Sequence, residues 1–212
     1  ADAMIADGAL ADPVPDVALG LHLWNDMPLG QVAVTPGPVM AGADSLHVTV
    51  QGRGSHGALP HLAADPVLTM AESIVMLQSV VSRSVSPLDA AVVSITQIQA
   101  GTAVNVIPDD ASFHGTIRTF NPEMRAHVFE RLETIISATA RALACRATIE
   151  FELMSRPVIN DPDVARRVAA RLEEAEPTLT LRRDFRTMAA EDMASFLEAV
   201  PGAFLLVGSA PS

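Results

Sequence analysis

The chain has a single cysteine, Cys145, in 212 residues. That excludes an internal disulfide and is compatible with a reducing cytosol. Basic side chains are short: 14 Lys and Arg against 25 Asp and Glu, a formal charge of −11. Nucleic acid is therefore excluded as the main partner, because a phosphate backbone needs a basic footprint. A small anionic substrate is not excluded, since one local arginine can hold it. Aromatic residues are only 4% of the chain. No segment is long and apolar enough to cross a membrane. The N-terminus lacks the basic region and apolar core of a secretory signal. There is no repeat and no low-complexity tract. What remains is a globular composition, 49% hydrophobic and 18% charged, long enough for one large domain or two small ones.

Periodicity gives the organisation. Asp16 to Leu23 reads as a buried strand, and Gln31–Val34 and Pro38–Ala41 as short extended pieces. Leu46 to Gly52 alternates apolar and polar, the pattern of a half-buried strand, with His47 solvated or facing a neighbouring strand. Pro66 to Ser82 carries Val67, Met70, Ile74, Leu77 and Val81 at helical steps. Ala91–Gln99 and Ala111–Thr119 are strand-like. Asn121 caps a second long helix with Pro122 in its first turn, running to about Leu143. Ala147–Leu153 is a fourth strand. Leu46 to Leu153 thus follows the order β-α-β-β-α-β, a ferredoxin-like sheet with both helices on one face. Asp161–Glu174 and Glu191–Val200 are predicted helices, and Ala203–Val207 a strand. The predicted fold class is α/β. The expected division is residues 1–42 and 156–212 as parts of one α/β domain, with 43–155 as a separate domain. The chain opens inside a short helix, Ala1–Ile5, and closes on a strand, so both ends read as cut.

The richest stretch for chemistry is Gly52-Arg53-Gly54-Ser55-His56-Gly57-Ala58-Leu59-Pro60-His61, a loop after a strand. Its glycines allow close approach of a ligand or a second chain. A histidine there can donate a hydrogen bond or carry a proton near neutral pH. A solvated surface turn is the plainer alternative. Three more segments follow the same order as a known set: Gly20-Leu21-His22-Leu23-Trp24, Gly101-Thr102-Ala103-Val104-Asn105-Val106-Ile107-Pro108-Asp109, and Gly115-Thr116-Ile117-Arg118-Thr119-Phe120. Met188-Ala189-Ala190-Glu191-Asp192 adds weaker support. Together they resemble the zinc aminoacylase and carboxypeptidase family, in its branch of hippurate and indole-acetyl-amino-acid hydrolases.

That resemblance implies a dinuclear-metal amidohydrolase acting on N-acyl amino acids with a free carboxylate. Residues 43–155 would be a lid inserted in a catalytic α/β domain. It implies His22 as a ligand to one of two divalent metal ions, zinc or else manganese or nickel. A core histidine bonded to a backbone carbonyl is the alternative. It implies His56 as a hydrogen-bond donor to the oxyanion in a partner subunit's site. Asn105 would contact substrate or oxyanion rather than simply shape a turn. Arg118 would clamp the substrate carboxylate rather than form a surface ion pair. Glu191 would lie near the site mouth, although Ala189-Ala190 stand where glycine or serine is commoner. His61 is read equally as a loop brace and as a solvated residue.

The other ligands and the general-base glutamate that the family uses have no counterpart in this sequence, which holds neither His-x-Asp nor His-Glu-x-x-His. The segment alone is therefore expected to be inactive and to bind no metal tightly. A cytoplasmic homodimer joined through the lid is the expected setting. The rival reading is a non-enzymatic, self-associating ferredoxin-like module. A ferredoxin-like regulatory domain is a third, but it leaves His22 and the flanking α/β pieces without a reason.

Overall fold

The computed structural model describes residues 1–211. The chain divides into two compact units, Ala43–Met154 and the remainder on either side of it. A short helix, α1 (Asp2–Ala6), precedes strands β1 (Ala18–Pro28), β2 (Gln31–Ala33) and β3 (Gly37–Met40).

The middle unit opens with β4 (Gly42–Gln51) and a two-residue strand, β5 (Ser55–His56). A 3₁₀ turn at Pro60–Leu62 leads to α2 (Pro66–Ser79), which ends in a π-helical turn at Val80–Ser84. Then come β6 (Ala91–Ala100), β7 (Val106–Ile107), β8 (Asp110–Thr119), α3 (Pro122–Ala142) and β9 (Arg146–Ser155). The main sheet has the order β6-β8-β4-β9, as the predicted ferredoxin-like arrangement requires. Alternation decides which side of it is buried. Leu46, Val48 and Val50 of β4 and Phe113 and Ile117 of β8 meet Met70 and Leu77 of α2 and Val128, Leu132 and Ile136 of α3 in one core. Both helices therefore cover the same face. The intervening residues Ser45, His47 and Thr49, with Ser112, His114, Thr116 and Arg118, lie on the other face.

Both long helices start where local chemistry tells them to. The Asp65 carboxylate accepts from the Val67 and Leu68 N–H groups, and Asn121 accepts from Met124 N–H. A proline follows each cap, where its missing N–H costs nothing. The buried stripe of α2 is rotated from the predicted one. Pro66, Thr69, Met70, Ser73 and Leu77 face inward, whereas Val67 is partly exposed. Thr69 and Ser73 can be buried because each hydroxyl donates to a carbonyl one turn earlier. In the same unit the buried Asp44 carboxylate takes three hydrogen bonds from Arg125, whose guanidinium also lies over the Phe129 ring.

The outer unit is completed by β10 (Val158–Asn160), α4 (Pro162–Ala175), β11 (Thr180–Arg182), α5 (Met193–Ala199) and β12 (Gly202–Ala210). Its sheet runs β1-β12-β2-β11, with β1 parallel to β12. Asn160 is fully buried: its amide donates to the Thr35 and Phe204 carbonyls, and its oxygen accepts from Phe204 N–H. One expectation fails. The strand expected to be buried at Asp16–Leu23 does form, but Leu19, Leu21 and Leu23 are 58%, 67% and 60% exposed. The three leucines share one face of β1, and nothing among the described residues covers it. Among the described residues no helix is long and apolar enough to cross a membrane.

Candidate functional site

The His56 loop is stitched to the segment 105–109 by short-range backbone chemistry. β5 pairs antiparallel with β7, Ser55 opposite Ile107 and His56 opposite Val106. Gly57 N–H donates to the Asn105 carbonyl at 2.8 Å, so His56 and Asn105 are brought together. On the other side of the loop, Gly52 N–H donates to the Asp109 carbonyl at 2.8 Å, and Gly54 N–H to the Asp109 carboxylate at 2.7 Å. The approach at Gly54 leaves no room for a side chain, since a Cβ there would lie 2.5 Å from the Ile107 oxygen. Asp109 thus holds the loop from below, a role the sequence reading did not assign. An aspartate following Val-Ile-Pro is the signal that was available.

The ring of His56 is exposed, and its orientation carries information. Ala58 N–H donates to Nδ1 at 3.1 Å. An amide can only donate, so Nδ1 holds a lone pair and the neutral ring carries its proton on Nε2. The loop therefore presents an N–H donor outward. His61 lies exposed in the following 3₁₀ turn.

His22 has the opposite tautomer, again set by the backbone. Its Nδ1 lies 2.6 Å from the Leu23 carbonyl oxygen, which can only accept. The proton is then on Nδ1, and Nε2 keeps its lone pair. A metal-ligating histidine has the same arrangement, with its second nitrogen fixed by a carbonyl or carboxylate. The ring meets Trp24 edge-on at 6.2 Å between centroids. His22 lies within β1, shortly before the register shift that follows Trp24. The carbonyl bond expected of a core histidine is present, but the ring is exposed.

Arg118 is on the open face of the middle sheet, half-buried and opposite Val92 of β6. It shares no strand pair with His56 or Asn105. Glu191 lies just before α5, where its carboxylate accepts from Asp192 N–H at 3.1 Å and its carbonyl accepts from the Ser155 hydroxyl. α5 begins at Met193, two residues later than predicted, because Glu191 and Asp192 are spent on this turn. Among the described residues no group of three or more His, Cys, Asp or Glu converges to hold a metal. His22 alone is one ligand where a catalytic or structural zinc site takes three or four, so no metal-borne step follows from this chain's residues.

Comparison with known proteins identifies what the chain is similar to. The peptidase dimerisation domain of M20 enzymes matches residues 40–144. The N-acetyl-L-cysteine deacetylase of Bacillus subtilis is 35% identical over 206 residues, 97% of this chain and 49% of that protein. The N-acetyldiaminopimelate deacetylase of Brevibacillus brevis is 33% identical over 97% of this chain and 54% of its own length. A crystal structure of a Bacillus subtilis dinuclear metal-binding peptidase from the M20 family superposes with a TM-score of 0.77 at 30% identity, over 97% of this chain and 51% of that one. A protein from methicillin-resistant Staphylococcus aureus gives a TM-score of 0.88 at 29% identity, over 99% and 53% of the two chains. The chain spans about half the length of the curated relatives it matches.

Proposed function

Because the chain belongs to the M20 peptidase family, whose dimerisation domain it carries at residues 40–144, we propose that it serves a metal-dependent amidohydrolase of N-acyl amino acids. The deacetylase names of its relatives support N-acyl amino acids as the substrate class; hippurate-like compounds are part of the proposal. On this reading the whole protein would hold two divalent ions, zinc in the first instance, whose chemistry would be to polarise the amide carbonyl and activate water. His22 offers a lone pair on Nε2 toward one of them, oriented by the Leu23 carbonyl. On the same reading the 212-residue chain by itself is expected to be inactive, because His22 alone is one ligand where a catalytic zinc takes three. The protein works as a cytoplasmic homodimer joined through the dimerisation domain. The buried, unpaired Cys145 fits a reducing compartment.

The observation that carries this reading is the hydrogen bond from Ala58 N–H to His56 Nδ1, which leaves Nε2–H as an outward donor. A donor is what an amide oxygen needs as it gains charge. His56 is the catalytic residue, reaching a partner subunit's site. Asn105, clamped beside it, contacts the substrate or the same oxygen. Arg118 holds the substrate carboxylate, and Glu191 lines the mouth of the site.

The test is the full-length gene product assayed on an N-acetyl amino acid. His56→Ala is expected to lower kcat by about 10²–10³-fold, the cost of one oxyanion donor, with little change in KM. His56→Gln, which keeps an N–H donor, should recover part of the loss. An unchanged kcat in His56→Ala would overturn the assignment.

A further inference from the structure

One pair of chemistry-bearing side chains lies outside everything above. His47 of β4 and His114 of β8 face each other across the two central strands of the middle sheet, on the side away from the helices. Their Nδ1 atoms are 2.6 Å apart, with the rings inclined at 73°. The second nitrogen of His47 lies 3.0 Å from the Ser45 hydroxyl. The backbones on either side are fixed, because Leu46, Val48 and Phe113 are wholly buried on the opposite face. Both rings are half-buried yet reachable from solvent. No carboxylate or cation is bonded to either ring among the described residues.

We infer that His47 and His114 form a two-imidazole site for a late first-row divalent metal ion, zinc or nickel. In the pair as it stands, one Nδ1 donates its proton to the lone pair of the other. If the donor ring moves that proton to its own Nε2, both Nδ1 lone pairs converge on one point. Both rings remain neutral, and no net proton is released. Imidazole is a preferred ligand for these ions. With metal–nitrogen bonds of about 2.0–2.1 Å, two ligands in one coordination sphere stand roughly 3 Å apart. From 2.6 Å, the pair therefore needs to open by roughly 0.3 Å for ligands at an octahedral angle, as nickel takes, and by roughly 0.7 Å at the tetrahedral angle of zinc, within rotamer reach on fixed strands. Water fills the remaining positions, since no third protein ligand converges there among the described residues. The site is thus exchangeable. A plain cross-strand hydrogen bond is the competing account, and it predicts no metal affinity.

The chain itself, selectively labelled at histidine nitrogen, can be titrated with nickel and separately with zinc. The ring signals of His47 and His114 should broaden with nickel, and shift with zinc, together and at one equivalent. Those of His22, His56, His61 and His127 should respond only at higher concentration. Calorimetry should give one binding event that is lost in both His47→Asn and His114→Asn, each checked for an unchanged backbone amide spectrum. If either variant fails to fold, the wild-type ring signals still decide. Absence of saturable binding overturns the inference. So does binding first reported by other histidines, or binding retained when both residues are replaced.

Discussion

Removing the Asp109 carboxylate should release the His56 loop without disturbing the sheet behind it. In Asp109→Ala, the 2.7 Å bond from Gly54 N–H loses its charged acceptor, while the backbone bond from Gly52 N–H remains. A hydrogen bond to a charged group contributes about 1.5–3 kcal/mol. The bond is exposed, so water replaces part of it and the loss should fall near the lower end, about 1.5 kcal/mol. Since 1.4 kcal/mol is a factor of ten, opening of the loop should become about tenfold more frequent. Amide hydrogen exchange reads this directly. Gly54 loses its acceptor and must exchange faster whatever the mechanism. The informative amide is Gly57, whose own acceptor, the Asn105 carbonyl, is untouched. If the loop opens as one unit, Gly57 should lose about tenfold in protection. Amides in the buried parts of β4 and β8 should not change. Asp109→Asn keeps an oxygen acceptor and should show a smaller effect. Unchanged Gly57 protection would show that Asp109 serves Gly54 alone. Equal losses in β4 and β8 would show a global effect and refute the local support described here.

Three further outcomes follow from other residues. Arg125→Ala leaves the buried Asp44 carboxylate without its partner, and because the arginine is 38% exposed the cost should be about 2–3 kcal/mol, below that of a fully buried pair, read as a lowered denaturation midpoint. In the full-length gene product, Arg118→Ala should raise KM for carboxylate-bearing N-acyl amino acids with kcat little changed; equal KM values for the variant and the wild type would remove it from substrate binding. The Thr178 hydroxyl, donating to Glu176 just past the end of α4, lowers that carboxyl's pKa, with the Thr178 backbone N–H adding to it. Its small contribution is therefore present above the unfolded-state pKa and lost as pH falls through the folded one. Thr178→Val should move the Glu176 titration upward by NMR, and an unmoved titration would contradict the assignment.

What was legible in the sequence was whatever its local periodicity records. The alternation at Leu46–Val50 and Phe113–Ile117, and the spacing Val128-Leu132-Ile136, give the middle sheet and α3 directly, because each buries one face only. Asp65-Pro66 and Asn121-Pro122 mark helix starts through caps that need only neighbouring amides. Elements set by distant partners were not legible. β5 and β7 are two residues each and exist only through each other. β1 looked buried because leucines recur at 19, 21 and 23, but a repeat of apolar residues does not say whether anything covers them, and among the described residues nothing does. The rotated stripe of α2 follows from two buried hydroxyls, Thr69 and Ser73, that read as polar in the sequence. At the candidate site the motif residues could be named from sequence, but not their protonation. The tautomers of His22 and His56 depend on the Leu23 carbonyl and the Ala58 amide, positions that backbone geometry alone supplies. His47 could be read as facing a neighbouring strand, but nothing local identified His114 as its partner.

The most direct test of the account is subunit complementation in the full-length gene product. One inactive protein carries His56→Ala and keeps His22; the other carries His22→Ala and keeps His56. If the proposed arrangement holds, each mixed dimer would contain one site that has both an intact His22 and an intact His56 from the partner. Mixing the two should restore amidohydrolase activity that neither has alone, and the recovery should track the fraction of mixed dimers measured by native mass spectrometry. Confirmed exchange with no recovered activity would contradict the assignment of His56 to a partner subunit's site.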